Sequence, residues 1–146
     1  MFKVLSALVG IALAVTACGE STQNMSLSKP PPAPPGPTKE WMVFFDTNST
    51  TLSQQSSMTV QQAAQVAKSM ANSRVVVTGF TDTEGSPAYN MALSQRRATS
   101  VRNALVQNGI PAQSITMTGS GETGLLVPTP DQTKNEKNRR VQIVVQ

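Results

Sequence analysis

Histidine is absent from the 146 residues and cysteine occurs once, at Cys18. A Ser-His-Asp or Cys-His nucleophile therefore has no base, imidazole cannot ligate zinc, and neither an internal disulfide nor a thiolate cluster can form. The carboxylates Asp46, Asp82, Glu84 and Glu122 are present, but no spacing among them fixes two on one element, as paired-carboxylate hydrolysis requires. What remains is recognition of a small charged group. Asp82 follows the β-branched run Val75-Val76-Val77-Thr78, and Glu84-Gly85-Ser86 leads into a helix start, where backbone N–H groups lack partners. Arg97 lies further along that helix. An aspartate and an arginine on opposite sides of one cleft hold a zwitterion, its carboxylate in two-point contact with the guanidinium and its ammonium on the carboxylate. Such a pair suits an amino-acid head group, and it needs neither a cofactor nor a metal.

The helix that carries Arg97 breaks its own pattern. Ser86 as N-cap, Pro87 at the first helical position and Gly109 beyond the end set its limits. On a wheel of 100° per residue, Tyr89, Leu93, Val101, Ala104 and Leu105 mark the apolar arc; Arg97 falls inside it, with Asn90 only about 20° away. A guanidinium on a core-facing stripe must be paired internally, snorkel to water, or reach an opening. The sequence alone leaves those alternatives open.

The remaining elements must carry these residues to one place. Trp41-Met42-Val43-Phe44-Phe45 reads as a strand closed by the turn formers Asp46-Thr47-Asn48-Ser49-Thr50. Val60, Ala63, Ala64, Ala67 and Met70 share one face of a first helix. Strands are expected at residues 74–80, 115–119 and 141–145, with an irregular stretch from 120 to 138. The order is βαβαββ: an α/β (α+β two-layer) domain, with a four-stranded mixed sheet and helices on one face.

The front of the chain reads differently. Residues 1–17 have a short basic start and about a dozen apolar residues, fewer than the roughly 20 that span a bilayer, and so read as a signal peptide. Val15-Thr16-Ala17-Cys18 resembles a bacterial lipobox, which makes Cys18 the expected lipidation site. By resemblance to lipoproteins sorted in Gram-negative bacteria, Gly19 after it implies the outer membrane rather than the inner one. Residues 18–39 then form a linker whose tract Lys29-Pro30-Pro31-Pro32-Ala33-Pro34-Pro35-Gly36-Pro37 suits an extended polyproline spacer. The domain itself occupies residues 40–146.

Gly79-Phe80-Thr81-Asp82-Thr83-Glu84-Gly85-Ser86, Tyr89-Asn90, Leu93-Ser94-Gln95-Arg96-Arg97-Ala98 and Asn138-Arg139-Arg140-Val141 together resemble the signature of the OmpA-like peptidoglycan-binding domain, which also occurs in peptidoglycan-associated lipoproteins. The resemblance covers about residues 41–145. It implies non-covalent, non-catalytic binding of the meso-diaminopimelate of the peptidoglycan stem peptide, and a protein that tethers the outer membrane, through its lipid, to the cell wall from the periplasmic side. Asp82 and Arg97 match the family's principal contacts and Asn90 a supporting one. Asn48 and Arg139 match the pocket rim, although Asn48 also reads as a plain turn residue and Arg139 as a loop-fixing ion pair. Glu84 offers its backbone N–H. Alanine at Asp82 or Arg97 is expected to leave the fold intact and abolish association with the wall. Phe80 stands where the family has histidine, and Pro128 falls later than in the family's Gly-Glu-x-x-Pro, which leaves the shape of that edge open. The alternative reading is a protein-interaction scaffold within an envelope-spanning complex, with envelope proteins as partners. The net charge of +4 does not by itself point to nucleic acid, and none is expected as a partner.

Overall fold

The computed structural model describes residues 36–146; the expected signal peptide, Cys18 and most of the proline tract lie outside the described residues. The chain runs β1 (Lys39–Phe44), α1 (Gln54–Ser69), β2 (Val75–Gly79), α2 (Pro87–Gln107), a short 3-10 turn (Ala112–Ser114), β3 (Ile115–Gly119) and β4 (Arg140–Val145). The expected βαβαββ order is observed, and the 3-10 turn after Pro111 is the one element that the sequence pattern did not indicate.

The sheet order is β1-β4-β2-β3, with β2 and β3 parallel and β4 antiparallel to both β1 and β2. The last strand thus slots between the first two. Two consequences follow from this arrangement. The loops after β1, β2 and β3 all emerge at one end of the sheet, and β4 begins at that same end. Residues 46–53, 80–86, 120–138 and 139–140 therefore meet although up to about a hundred residues separate them in the chain.

Strand alternation decides which face is dry. Val43, Val75, Val77, Val141, Ile143 and Val145 are buried in register, whereas their neighbours Val76, Gln142 and Val144 are only half-buried and Phe44 is exposed. Both helices cover the first set. Helix α1 begins where Ser53 caps it by accepting from the Ser56 N–H at 3.1 Å, and it buries Val60, Ala63, Ala64 and Ala67. Helix α2 begins at the cap of Ser86, which accepts from the Tyr89 N–H at 3.2 Å, and buries Leu93, Ala98, Val101 and Leu105.

The approach of α2 to the sheet depends on two glycines. Gly79 and Gly119 are opposite one another in the β2–β3 register, and Ser94 passes directly over them. A Cβ on Gly79 would overlap the Ser94 carbonyl, with the carbonyl carbon 2.9 Å away, and one on Gly119 would stand 2.7 Å from Ser94 Oγ. Because these glycines close the strands, the helix turn before Ser94 overhangs the sheet end. Tyr89, which the wheel put on the apolar arc, is for that reason 42% exposed rather than core. Arg97, one turn after Ser94 on the inward face, is fully buried.

Candidate functional site

The guanidinium of Arg97 is the centre of the sheet-end cluster. Its Nε donates to the Ser49 carbonyl and its Nη2 to the Asp46 carbonyl, both at 2.9 Å, and its Nη1 donates to the Phe80 carbonyl at 3.3 Å. The loop after β1 is thus wrapped on the arginine. Phe45 stacks nearby, 5.4 Å from the guanidinium carbon to the ring centre. Of the three sequence alternatives for Arg97, snorkelling to water and reaching an opening are both excluded by its complete burial. An internal ion pair is excluded too, since among the described residues no carboxylate lies within ion-pairing distance of it. Burial lowers its pKa from the ordinary guanidinium value to about 10, against the field of Asp82, which raises it, and with that of Arg139, which lowers it. A guanidinium has five N–H donors. The three bonds to carbonyls leave one donor on each terminal nitrogen, the number that a carboxylate takes in a two-point contact.

Asp82, also buried, is held from three sides. Oδ2 accepts from Arg139 Nη1 at 3.3 Å and from the Asn135 N–H at 3.2 Å, and Oδ1 from the Glu84 N–H at 3.4 Å. Arg139 also donates from Nε to the Phe45 carbonyl at 3.1 Å. The loop-fixing reading of Arg139 is therefore what the geometry shows, in a position that also rims the cluster. The Glu84 backbone N–H, expected to face a ligand, is turned onto Asp82, while its side chain pairs with Lys134 at 3.4 Å.

Asn90 is buried at 1% exposure, and its Nδ2 donates to Glu122 Oε2 at 2.8 Å. Asn48 occupies the left-handed region at φ 53°, which fits the turn reading; its side chain is exposed and makes no hydrogen bond among the described residues. Asp82, Glu84 and Arg139 are thus in direct contact, Arg97 is coupled to Asp82 through its field, and Asn90 and Asn48 lie on flanking elements.

The stretch from 120 to 138 is irregular but closely tied down. Thr83 Oγ1 donates to the Pro130 carbonyl at 2.6 Å and accepts from the Thr133 N–H at 3.1 Å, and the Thr83 carbonyl accepts from the Gln132 N–H at 2.9 Å. The fully buried Asn138 side chain bonds both the N–H and the carbonyl of Val127, at 2.9 and 2.8 Å. The late proline is accommodated within this pinned loop. Phe80 has a distinct role: the guanidinium of Arg140 lies 4.0 Å from its ring centre, and Arg140 Nη2 donates to the Gly124 carbonyl at 3.0 Å. Arg140 is neither a surface charge nor, among the described residues, part of an ion pair; it is buried against an aromatic face.

Residues that sequence reasoning did not place in the site are Glu122, which holds Asn90, and Asn135, which holds Asp82. Glu122 was visible only as one of four carboxylates without a partner. A groove of about 470 Å³ lies beside this cluster, between β1 and the start of α1, and is bordered by Phe44, Asp46, Thr51, Ser56, Lys137 and Arg139. Neither Asp82 nor Arg97 lines it. The chemistry of a charged ligand points to the sheet-end cluster rather than to this groove, because the buried cations Arg97 and Arg140 there keep unused N–H donors, those on Nε and Nη1 of Arg140 included.

The sheet is open, and charged groups gather beyond one end of its strands. The OmpA family profile matches residues 44–139, and the chain belongs to the OmpA family. It is 37% identical over 117 residues to an outer membrane protein of Gluconacetobacter diazotrophicus, an alignment that takes in 76% of this chain but only 31% of that protein's length. It is 29% identical to a peptidoglycan-associated lipoprotein of Agrobacterium fabrum, across 92% of this chain and 83% of the relative. Among solved structures, the peptidoglycan-associated lipoprotein from Burkholderia pseudomallei superposes with a TM-score of 0.66 at 32% identity, covering 72% of this chain and 89% of that one.

Proposed function

We propose that this domain binds peptidoglycan without catalysis, taking the amino-carboxylate end of meso-diaminopimelate at the sheet-end cluster. The observation that carries the reading is Arg97, a buried guanidinium with two N–H donors to spare and no carboxylate of the domain paired with it. Once the loop of Asp46 and Ser49 that covers Arg97 moves aside, a ligand carboxylate would supply the missing anion, and Asp82, about 94% buried, would supply negative charge on the adjoining side for the ligand ammonium. The relatives' names, outer membrane protein and peptidoglycan-associated lipoprotein, support peptidoglycan as the ligand and the outer membrane as the place in the envelope. In this reading Cys18 carries the lipid, the outer membrane is the anchoring surface, and residues 18–39 span toward the wall. Many such clasps act together by multivalency, so a modest affinity at each site suffices.

The test is sedimentation of the full chain with purified diaminopimelate-containing sacculi. Asp82→Asn keeps the shape of the side chain and removes its charge; it should weaken the affinity at least roughly tenfold, as expected for a charged contact worth about 1.5–3 kcal/mol. Sacculi with lysine at the same position lack the distal carboxylate and should be retained poorly even by the native chain. Undiminished sedimentation of the variant, or equal retention on both wall types, refutes the proposal. Release of muropeptides during the incubation would refute its non-catalytic part.

A further inference from the structure

Asn90 is almost wholly buried, and one end of its amide faces Glu122 Oε2 at 2.8 Å. A carboxylate can only accept, so that end must be the NH2 group; the orientation is dictated by chemistry. The carbonyl Oδ1 therefore points the other way, and no donor among the described residues reaches it. What lies over it is Gly85, at φ +100°, whose absent Cβ would stand 3.6 Å from Oδ1. Gly85 is three residues from Asp82, in the same loop after β2. Glu122 is itself held firmly in place. The N–H of its neighbour Gly121 donates to Ser94 Oγ at 2.9 Å, and the Gly121 carbonyl accepts from the Thr81 N–H at 2.8 Å, so α2 and the loop after β2 both fix it.

We propose that Glu122 is a positioning residue that sets the polarity of the site: it holds the Asn90 amide so that a fixed acceptor, not a donor, faces the ligand ammonium beside Asp82. An asparagine free to turn could offer NH2 to a ligand carboxylate and accept the head group in reverse. This rests on the peptidoglycan reading above and adds its orientation: carboxylate toward Arg97, ammonium toward Asp82 and Asn90.

The experiment uses the full chain and two stem peptides, one with diaminopimelate and one with 2-aminopimelate, which keeps the distal carboxylate and lacks the distal ammonium. The native chain should prefer the first by roughly tenfold, the difference made by a paired against an unpaired polar group. Glu122→Gln puts a group that can donate or accept opposite Asn90, and the preference should shrink to about threefold or less. Asn90→Asp combined with Glu122→Gln restores an obligatory acceptor and should recover the preference. A single variant that keeps the native preference, or a double variant that folds and does not recover it, overturns the proposal and leaves Glu122 as a loop staple. A native chain that binds neither peptide overturns the peptidoglycan reading and this inference with it.

Discussion

Replacing Arg97 by alanine tests whether the same side chain holds the fold and serves the site. Three hydrogen bonds from its charged fork reach the carbonyls of Asp46, Ser49 and Phe80. At about 1.5–3 kcal/mol for each bond to a charged group, the gross loss is about 5–9 kcal/mol. Part of this is offset, because the same burial that lowers the arginine pKa to about 10 is an electrostatic cost that disappears with the guanidinium. Carbonyls left behind also recover some water, since Asp46 and Ser49 sit in a partly exposed loop. A net destabilisation of about 3–5 kcal/mol remains, typical of breaking a buried charged contact on one side. For a domain of this size that lowers Tm by about 12 °C or more. Thermal unfolding followed by circular dichroism reads it directly, and Arg97→Lys should fall between, because a point ammonium cannot reproduce the planar fork. The expectation from sequence that alanine here would leave the fold intact does not hold on this geometry. If Arg97→Ala melts within about 3 °C of the native chain, the three carbonyl bonds do not hold the loop and the reasoning is refuted.

Gly79→Ala should prevent α2 from seating, since its Cβ would overlap the Ser94 carbonyl backbone; we expect a loss of at least about 3 kcal/mol or no folded protein, read by urea unfolding, and a variant with native stability would show that the helix can shift aside. Phe80→His places an imidazole against the Arg140 guanidinium. Repulsion lowers the folded pKa of that histidine below its ordinary value of about 6.5, so the unfolded chain binds more protons and stability should fall as pH drops from 7 to 5. With no histidine in the native chain, the difference in stability between the two proteins should itself widen over that interval, and a constant difference would refute the contact.

Much of the fold was legible because it rests on local rules. The β-branched run Val75-Val76-Val77, the alanine face of α1, and the Ser86-Pro87 start and Gly109 end of α2 each fix an element without reference to the rest of the chain. The anomaly at Arg97 was legible too, since a cation on an apolar stripe breaks a one-dimensional pattern. Its resolution was not. The partners of Arg97 are carbonyl oxygens, which every residue possesses, so no side-chain identity at 46, 49 or 80 announces them. Tyr89 was misplaced for a related reason: a helical wheel knows its own axis and not where the sheet beneath it ends.

Spacing, capping and residue type fix the helices and strands, their order and the polar and charged residues they carry. Folding in three dimensions sets how those groups are shared: Asp82 with Arg139, Asn90 with Glu122, Arg97 with the backbone alone. That division has a physical cause. Inserting β4 between β1 and β2 brings loops remote in the chain to one end of the sheet, and contacts across such distances obey no periodicity that a sequence can display.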